Sequence, residues 1–142
     1  MIPRRRLVAP AQHDQLAGLA SFAAAAAAEV GFDDLQINRI ELAVDEACSN
    51  IIDHAYSGQR GEIAIEISGE RNHSLIIVII DQGKPFDPGS VQEYAPSASL
   101  DEAKVGGLGL HLMRQTMDQV CFEFGVPGVG NRLTMQKFVR GR

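Results

Sequence analysis

Two neighbouring segments, EIAIEIS at residues 62–68 and SLIIVIID at residues 74–81, decide the fold of this chain. The first alternates between apolar and polar residues, which is typical of a strand with one covered face. The second is apolar almost throughout, which indicates either a central strand that is covered on both faces or a very buried strand. The intervening GERNH is short enough for a tight connection. We therefore predict a β-hairpin at the centre of a sheet.

The residues before this hairpin predict one strand and two helices. RRRLVAP at residues 4–10 is a short edge strand that ends in proline, and residues 13–31 form an alanine-rich helix that closes on glycine. A second helix spans residues 33–56. Asp33 is its expected N-cap, with Gln36 as the reciprocal partner in a capping box.

The residues after the hairpin predict an irregular segment, a helix and two strands. Residues 82–107 lose periodicity and collect glycine, proline, serine and aspartate, as functional lids often do. A helix at 108–120 and strands at 120–124 and 132–139 follow. The predicted fold class is α+β: a two-layer α/β sandwich in one domain, residues 1–142, whose mixed, mostly antiparallel sheet is covered on one face by helices.

Composition excludes several classes of protein. The apolar fraction is 45% and the charged fraction 22%, both ordinary for a globular domain. A net charge of -5 argues against a direct nucleic-acid partner, and no apolar run approaches the roughly 18 residues of a membrane span. We expect a cytoplasmic protein whose two cysteines, Cys48 and Cys121, are reduced core thiols.

The second predicted helix carries an unusual polar stripe. Glu46, Asn50 and Asp53 stand at i, i+4 and i+7, so they share one face. Taken alone, this face fits a solvated surface. Asparagine and aspartate are nevertheless poor residues for the middle of a helix, since their side chains compete for the backbone. The wall of a binding site is therefore the alternative.

Two further motifs each have an ordinary and a functional interpretation. Asp81 ends the buried strand, where its carboxylate must find a donor such as the amino group of adenine, and Gly83 allows close backbone approach. An Asp-Gly turn after a strand is also common. Gly106, Gly107 and Gly109 lead into a helix, where backbone amides can bind phosphate, although the pattern matches neither a P-loop nor a dinucleotide fingerprint.

In order and spacing, these three motifs resemble a known set. Glu46xxxAsn50, DQGKPF at residues 81–86 and GGLGL at residues 106–110 resemble the N, G1 and G2 boxes of the GHKL ATPases, the superfamily of gyrase, heat-shock chaperone and histidine kinase ATP sites. AVDEACSNIIDHAY, GKPFDP and GGLGLHLMRQTMDQV look most like the bacterial anti-sigma factor serine-protein kinases. One departure is Pro85, which replaces the second glycine of the frequent DxGxG pattern.

The resemblance implies roles for five residues of the helix and the sheet. Asn50 would coordinate a Mg²⁺ ion that bridges the ATP phosphates, and Glu46 would accept the proton of the attacked hydroxyl. Asp81 would bind adenine, with Gly83 beside it. Thr134 falls where the family often has a threonine near that aspartate.

The resemblance also implies a phosphate-binding segment and a lid. The phosphate-binding backbone would come from four consecutive residues: Gly106, Gly107, Leu108 and Gly109. Residues 87–106 would be the ATP lid, and Lys104 within it would reach the γ-phosphate. His54 is either a phosphate or metal-water contact or a structural histidine, and Asp53 has no assigned role.

The implied cofactors are ATP and Mg²⁺, and the implied reaction is phosphoryl transfer to a serine or threonine. The expected partners are a STAS-domain antagonist protein, a sigma factor or other regulatory target, and a second copy of the chain in a homodimer. Phosphorylation of the antagonist would decide which partner the kinase holds. The alternative is a nucleotide-binding switch that sequesters its partner without phosphotransfer; retention of Glu46 favours the kinase. A histidine kinase fragment is disfavoured because QHDQLAGLA around His13 lacks the usual arginine and proline.

Overall fold

Five strands form one sheet, and the helices cover one of its faces, in the computed structural model, which describes residues 1–86 and 107–140. The strands are β1 Arg5–Pro10, β2 Glu62–Glu70, β3 Ser74–Asp81, β4 Gln119–Val126 and β5 Gly130–Phe138. The helices are α1 Leu16–Val30, α2 Asp34–Asn50 and α3 Gly107–Thr116, with a 3-10 turn at His13–Gln15 and a π-helical turn at Ile51–Tyr56. Within the described ranges, no helix is long and apolar enough to cross a membrane.

The sheet has the strand order β1-β2-β3-β5-β4, and each of these neighbouring pairs is antiparallel. The predicted central hairpin is confirmed: β2 and β3 pair with Glu70 opposite Ser74. Its connection is tight because Asn72 adopts a left-handed conformation (φ 61°) that asparagine tolerates. The predicted α+β, two-layer architecture is therefore confirmed, with antiparallel pairing throughout the described sheet.

The core lies between the sheet and the helices. Leu75, Ile77 and Ile79 on β3 are fully buried on the helix side, whereas the alternate residues Ile76 and Val78 are half-buried on the outer face. The almost continuous apolar run of β3 therefore comes from its central position among flanking strands, and the described helices cover one face of it.

The alanines of α1 allow this helix to pack closely. Ala23, Ala26 and Ala27 are fully buried against the core, and their small side chains let the helix backbone approach its neighbours. Gly31 ends the helix in the left-handed conformation (φ 113°), as glycine at this position commonly does.

Only half of the predicted capping box forms at the start of α2. The Asp33 carboxylate accepts a hydrogen bond from the Gln36 backbone amide at 2.8 Å, as expected of an N-cap. The reciprocal bond is absent: Gln36 Oε1 is buried without a hydrogen-bond partner in the described part of the chain. The capping-box prediction for Gln36 was therefore wrong.

Helical structure does continue from α2 to Tyr56, as predicted, but its geometry changes after Asn50. From Ile51 the turn widens into a π-helix, which ends at Ser57 in the left-handed conformation (φ 51°). Wider turns of this kind often occur at functional sites. The change also takes Asp53 out of the regular α-helical spacing from which its place in the polar stripe was predicted.

Tyr56 joins this π-helical turn to the sheet. Its hydroxyl donates to the Glu62 carbonyl at 2.6 Å and accepts from the Gln82 amide at 2.8 Å. The ring lies against Gly61, where an added Cβ would stand only 2.1 Å from a ring carbon. Tyr56 therefore ties the end of the helix to the start of β2 and to the residue that follows β3.

The two cysteines differ in their surroundings. Cys48 is buried in the core, and burial raises the pKa of its thiol to about 12, so the thiol stays protonated. Cys121 is exposed, because strand alternation on β4 turns Phe122 inward and its neighbour outward. The prediction of a core thiol was right for Cys48 and wrong for Cys121.

The substitution Tyr56→Phe tests the connection that the Tyr56 hydroxyl makes between the π-helical turn, β2 and Gln82. It removes one hydroxyl that makes two hydrogen bonds at a largely buried position, so we expect the free energy of unfolding to fall by about 1–3 kcal/mol. Chemical denaturation of both proteins measures the difference. A variant as stable as the parent would show that the two bonds contribute nothing.

Candidate functional site

A buried carboxylate, Asp81, lies at the end of β3 and is held by two donors. The side chain of Asn131, directly opposite it on β5, donates to Asp81 Oδ1 at 2.9 Å, and the Gly83 amide donates to the same oxygen at 2.9 Å. Asp81 and Asn131 are each only 4% exposed. Asp81 Oδ2 makes no hydrogen bond within the described residues. One oxygen is therefore fixed by the fold, and the other has no donor in the part of the chain that the structure describes.

Asn131 organises the loops around this carboxylate. Besides Asp81, its amide group donates to the Gly83 carbonyl at 2.9 Å, and its Oδ1 accepts from the Gly125 amide at 3.1 Å. It thus links the end of β3, the start of β5 and the end of β4. No sequence pattern predicted a role for Asn131.

Thr134, predicted to lie near Asp81, is on the other face of the sheet. It pairs with Val78, and the residues of β5 that face the helices are the alternate ones, Asn131, Leu133 and Met135. The structure therefore does not bring Thr134 and Asp81 together. Strand parity was the signal available in the sequence, because an inward-facing Asp81 requires an inward-facing partner.

Burial raises the pKa of Asp81, and the hydrogen bonds from Asn131 and Gly83 partly offset this effect. Removing a carboxylate from water disfavours its charged form, whereas donors favour it. Because both donors share Oδ1, a ligand amino group at Oδ2 would satisfy the remaining half of the carboxylate. The site therefore suits a ligand that presents a hydrogen-bond donor.

Gly83 sits against the helical layer. An added Cβ at this position would stand 2.8 Å from backbone and side-chain atoms of Ala55, and the adjacent Lys84 amide donates to the Ala55 carbonyl at 2.8 Å. The structure shows that the π-helical turn approaches Gly83 closely, whereas the close approach of Gly83 to a ligand stays a prediction. Gly83 thus fixes the loop after Asp81 to the end of the second helix.

A small cavity of about 20 Å³ lies beside Asp81, roughly the space of one water molecule. It is bounded by Asp81, Asn50 and mainly apolar residues. The other lining residues are Ala47, Ile51, Phe86, Met113, Phe122, Phe124, Asn131, Arg132 and Leu133.

Phe86 closes part of this cavity. Its ring centroid lies 5.8 Å from that of Phe124 and 5.7 Å from that of His54. His54 therefore packs on an aromatic ring, in line with the structural alternative for this residue.

The polar stripe of α2 divides into two parts. Asn50 lines the cavity, and Glu46, one turn earlier, is half-buried; burial and the nearby charge of Asp45 raise the pKa of Glu46. The Asp53 carboxylate instead accepts a hydrogen bond from the His13 ring at 3.0 Å, outside the cavity lining. The expectation of one continuous wall was wrong for Asp53.

The predicted phosphate-binding segment lies at the start of α3. Gly107, Leu108 and Gly109 form the first turn of that helix, as the glycine-rich pattern predicted. Gly106, Lys104 and the whole predicted lid at 87–106 lie outside the described residues.

Comparison with known proteins agrees with this geometry. The sequence profile of the histidine kinase-like ATPase domain matches residues 9–137. The chain belongs to this family. Its relatives include the serine-protein kinase RsbW of Bacillus subtilis (strain 168), 34% identical over 93% of this chain and 83% of that protein. The protein of the same name from Bacillus velezensis is 33% identical over 81% of this chain and 72% of the relative.

In this member of the histidine kinase-like ATPase family, the substitution Asp81→Asn should lower ATP affinity without lowering the free energy of unfolding. An asparagine can keep its oxygen at the Oδ1 position and both structural hydrogen bonds, while its NH₂ group replaces the free acceptor Oδ2. We expect ATP affinity to fall about 30- to 150-fold, the loss of one charge-assisted bond of about 2–3 kcal/mol. The free energy of unfolding at pH 7 should not fall. Calorimetric titration and denaturation measure the two quantities.

The pH dependence of stability gives a second readout of the same substitution. The folded-state pKa of Asp81 is raised, so its contribution to stability is fully present below the unfolded pKa and is lost as pH rises through the folded-state pKa. The asparagine variant lacks this loss. Its stability relative to the parent should therefore increase as pH rises from about 4 to 7. A constant difference across this range would contradict the burial of a charged Asp81.

Gly83→Ala tests the close approach to Ala55. The added methyl group must displace backbone atoms, so we expect the free energy of unfolding to fall by about 1–3 kcal/mol. The matched control is Gly18→Ala, in α1, where an added Cβ meets nothing within 4 Å. Because alanine is the better helix former, the control should be neutral or stabilise by up to about 1 kcal/mol. Equal effects at both positions would refute the tight contact.

Proposed function

We propose that this chain is an ATP-dependent serine/threonine-protein kinase and anti-sigma factor of the cytoplasm. Its substrate would be a STAS-domain antagonist protein, and phosphorylation would switch the kinase between that protein and a sigma factor. The observation that supports an ATP site is the buried Asp81, which lines an apolar cavity and has one oxygen fixed by two hydrogen bonds. The relatives named serine-protein kinase support the reaction.

The residues around Asp81 fit the adenine end of ATP. The exocyclic amino group is a donor for Asp81 Oδ2, and the aromatic and aliphatic side chains of the cavity suit a flat base. A cavity of about 20 Å³ is too small for adenine, so Phe86 must move when ATP binds. Phe86 is two residues beyond Lys84, which is anchored to Ala55, so this movement would begin just after the anchored part of the loop.

The phosphate end would require few protein ligands. The described residues contain no group of three His, Cys, Asp or Glu side chains arranged to hold a metal. Mg²⁺ in nucleotide sites is held largely by phosphate oxygens and water, so a single amide oxygen from Asn50 suits it. The amides at the start of α3, from Gly107 onward, would bind phosphate oxygens.

Glu46 would act as the general base. It stands one helical turn before Asn50, so the two side chains are neighbours on α2. Its raised pKa makes it a better proton acceptor than an ordinary exposed glutamate. The acceptor hydroxyl oxygen forms a bond to the γ-phosphorus, the bond to the bridging oxygen of ADP breaks, and the hydroxyl proton passes to Glu46.

A nucleotide-binding switch that does not transfer phosphate is the second candidate. The half-buried position and raised pKa of Glu46 favour the kinase, because a pure binding module needs Asn50 and Asp81 but gains nothing from a desolvated carboxylate.

Two substitutions on α2 distinguish these functions. Glu46→Gln should keep Mg-ATP affinity within about twofold but slow phosphoryl transfer to the STAS-domain protein by about 10²- to 10⁴-fold. Asn50→Ala should lose Mg-ATP binding itself. Radiolabel transfer and calorimetric titration measure the two effects.

The matched control for Glu46→Gln is Glu62→Gln, which neutralises an exposed carboxylate at the start of β2. It should change neither the rate of phosphoryl transfer nor the affinity for Mg-ATP. If Glu46→Gln transfers phosphate as fast as the parent, Glu46 is not the base. If the parent binds Mg-ATP and its STAS-domain partner without transfer, the chain is a binding switch.

A further inference from the structure

Two leucines are exposed on the same face of α2. Leu35 is 56% exposed and Leu42 is 43% exposed, and their spacing of two turns places them on one side of the helix. In the described part of the chain, the other large apolar residues of comparable exposure are Met1 at the terminus and Val8 on β1. The helix that carries Glu46 and Asn50 therefore also presents an apolar strip to solvent.

A groove runs beside this strip, between the two long helices. Its volume is about 330 Å³, and its lining combines apolar and acidic residues: Ala20, Asn38, Glu41, Leu42 and Asp45. Leu42 thus belongs both to the strip and to the groove wall. A partner side chain that covers Leu42 would also have access to the groove.

One side of the strip is acidic. Asp34, Glu41 and Asp45 follow that side of α2, and their side chains form no hydrogen bond or ion pair among the described residues. The basic residue of α2, Arg39, is exposed between the two leucines and borders the strip on the other side. A partner that meets this face therefore encounters negative charge on the groove side of an apolar centre.

The strip leads to Glu46. At 100° per residue, Leu35, Leu42 and Glu46 fall within an arc of about 40° on α2. Leu42 is one turn before Glu46, and Leu35 is about 16 Å from it along the helix axis. Asn50 lies further round the helix, on the side of the cavity. Glu46 is therefore at the border between the cavity side and the exposed strip.

We propose that the Leu35–Leu42 strip and its groove are the docking surface for the protein that accepts the phosphate. This inference rests on the proposed kinase function. A protein seated on the strip would bring its hydroxyl to Glu46 from the solvent side, while ATP occupies the other side of the helix. The fitting partner surface has an apolar side chain for Leu42 and the groove, and lysine or arginine residues for Asp34, Glu41 and Asp45.

The double substitution Leu35→Gln/Leu42→Gln tests the apolar part. Glutamine is a good helix former, so α2 should remain folded. We expect KM for the STAS-domain acceptor to rise at least about tenfold, with kcat at saturating acceptor and Mg-ATP affinity unchanged. Val8→Thr, at a residue that is 41% exposed on β1, is the matched control and should leave KM unchanged.

The charged part has its own test. Glu41→Gln should raise KM about two- to fivefold at low salt, and it should reduce the increase in KM that added salt causes in the parent. The control Glu62→Gln removes a carboxylate on the sheet and should change neither KM nor its dependence on salt.

The outcomes separate this inference from the proposed function. Binding of the STAS-domain proteins of the source organism is measured with Mg²⁺ and a non-hydrolysable ATP analogue. Binding that the leucine substitutions weaken supports the docking surface, even if no phosphate is transferred and the kinase proposal fails. The inference is overturned if the substitutions leave acceptor binding and KM unchanged, if no such protein binds, or if they abolish self-association or sigma-factor binding instead.

Discussion

The structure depends on one constraint, the burial of the Asp81 carboxylate at the end of the central strand. A charge removed from water must be hydrogen-bonded, and Asn131 and Gly83 meet that need through a single oxygen. Asn131 then connects to Gly83 and Gly125, so three chain segments meet around this one group. The second carboxylate oxygen has no donor among the described residues, and Asp81 lines a mainly apolar cavity, so the arrangement suits a ligand that presents a hydrogen-bond donor.

The second helix brings the other half of the site to this carboxylate. Its π-helical turn is held by Tyr56, which bonds to β2 and to the Gln82 amide, and by Ala55, which packs on Gly83 and accepts from Lys84. These contacts fix the loop after Asp81 to the helix that carries Glu46 and Asn50. Loss of these contacts would therefore let Glu46 and Asn50 move relative to the carboxylate.

Local patterns in the sequence predicted most of the fold. Hydrophobic periodicity and turn chemistry predicted the hairpin, and helix propensity and capping preference predicted the alanine-rich helix and its left-handed glycine. These effects act over a few residues. Apart from the capping box of Gln36, the errors arose where the answer is not local. Thr134 was predicted to lie near Asp81 because motif spacing does not give strand register. Asp53 was grouped with Glu46 and Asn50 in one polar stripe because a π-helical turn has no clear sequence signal. The neighbours of Cys121 in the sequence are apolar, which suggested a core position. Only the pairing of β4 shows that Cys121 lies on the exposed face of that strand.

The most direct test of the site is a crystal structure of this chain with Mg²⁺ and a non-hydrolysable ATP analogue. We expect the adenine amino group to donate to Asp81 Oδ2, and Asn131 and Gly83 to keep their bonds to Oδ1. We also expect Phe86 to have left the cavity and the Asn50 amide oxygen to coordinate the metal. A nucleotide bound elsewhere, with Phe86 still packed between His54 and Phe124, would contradict it.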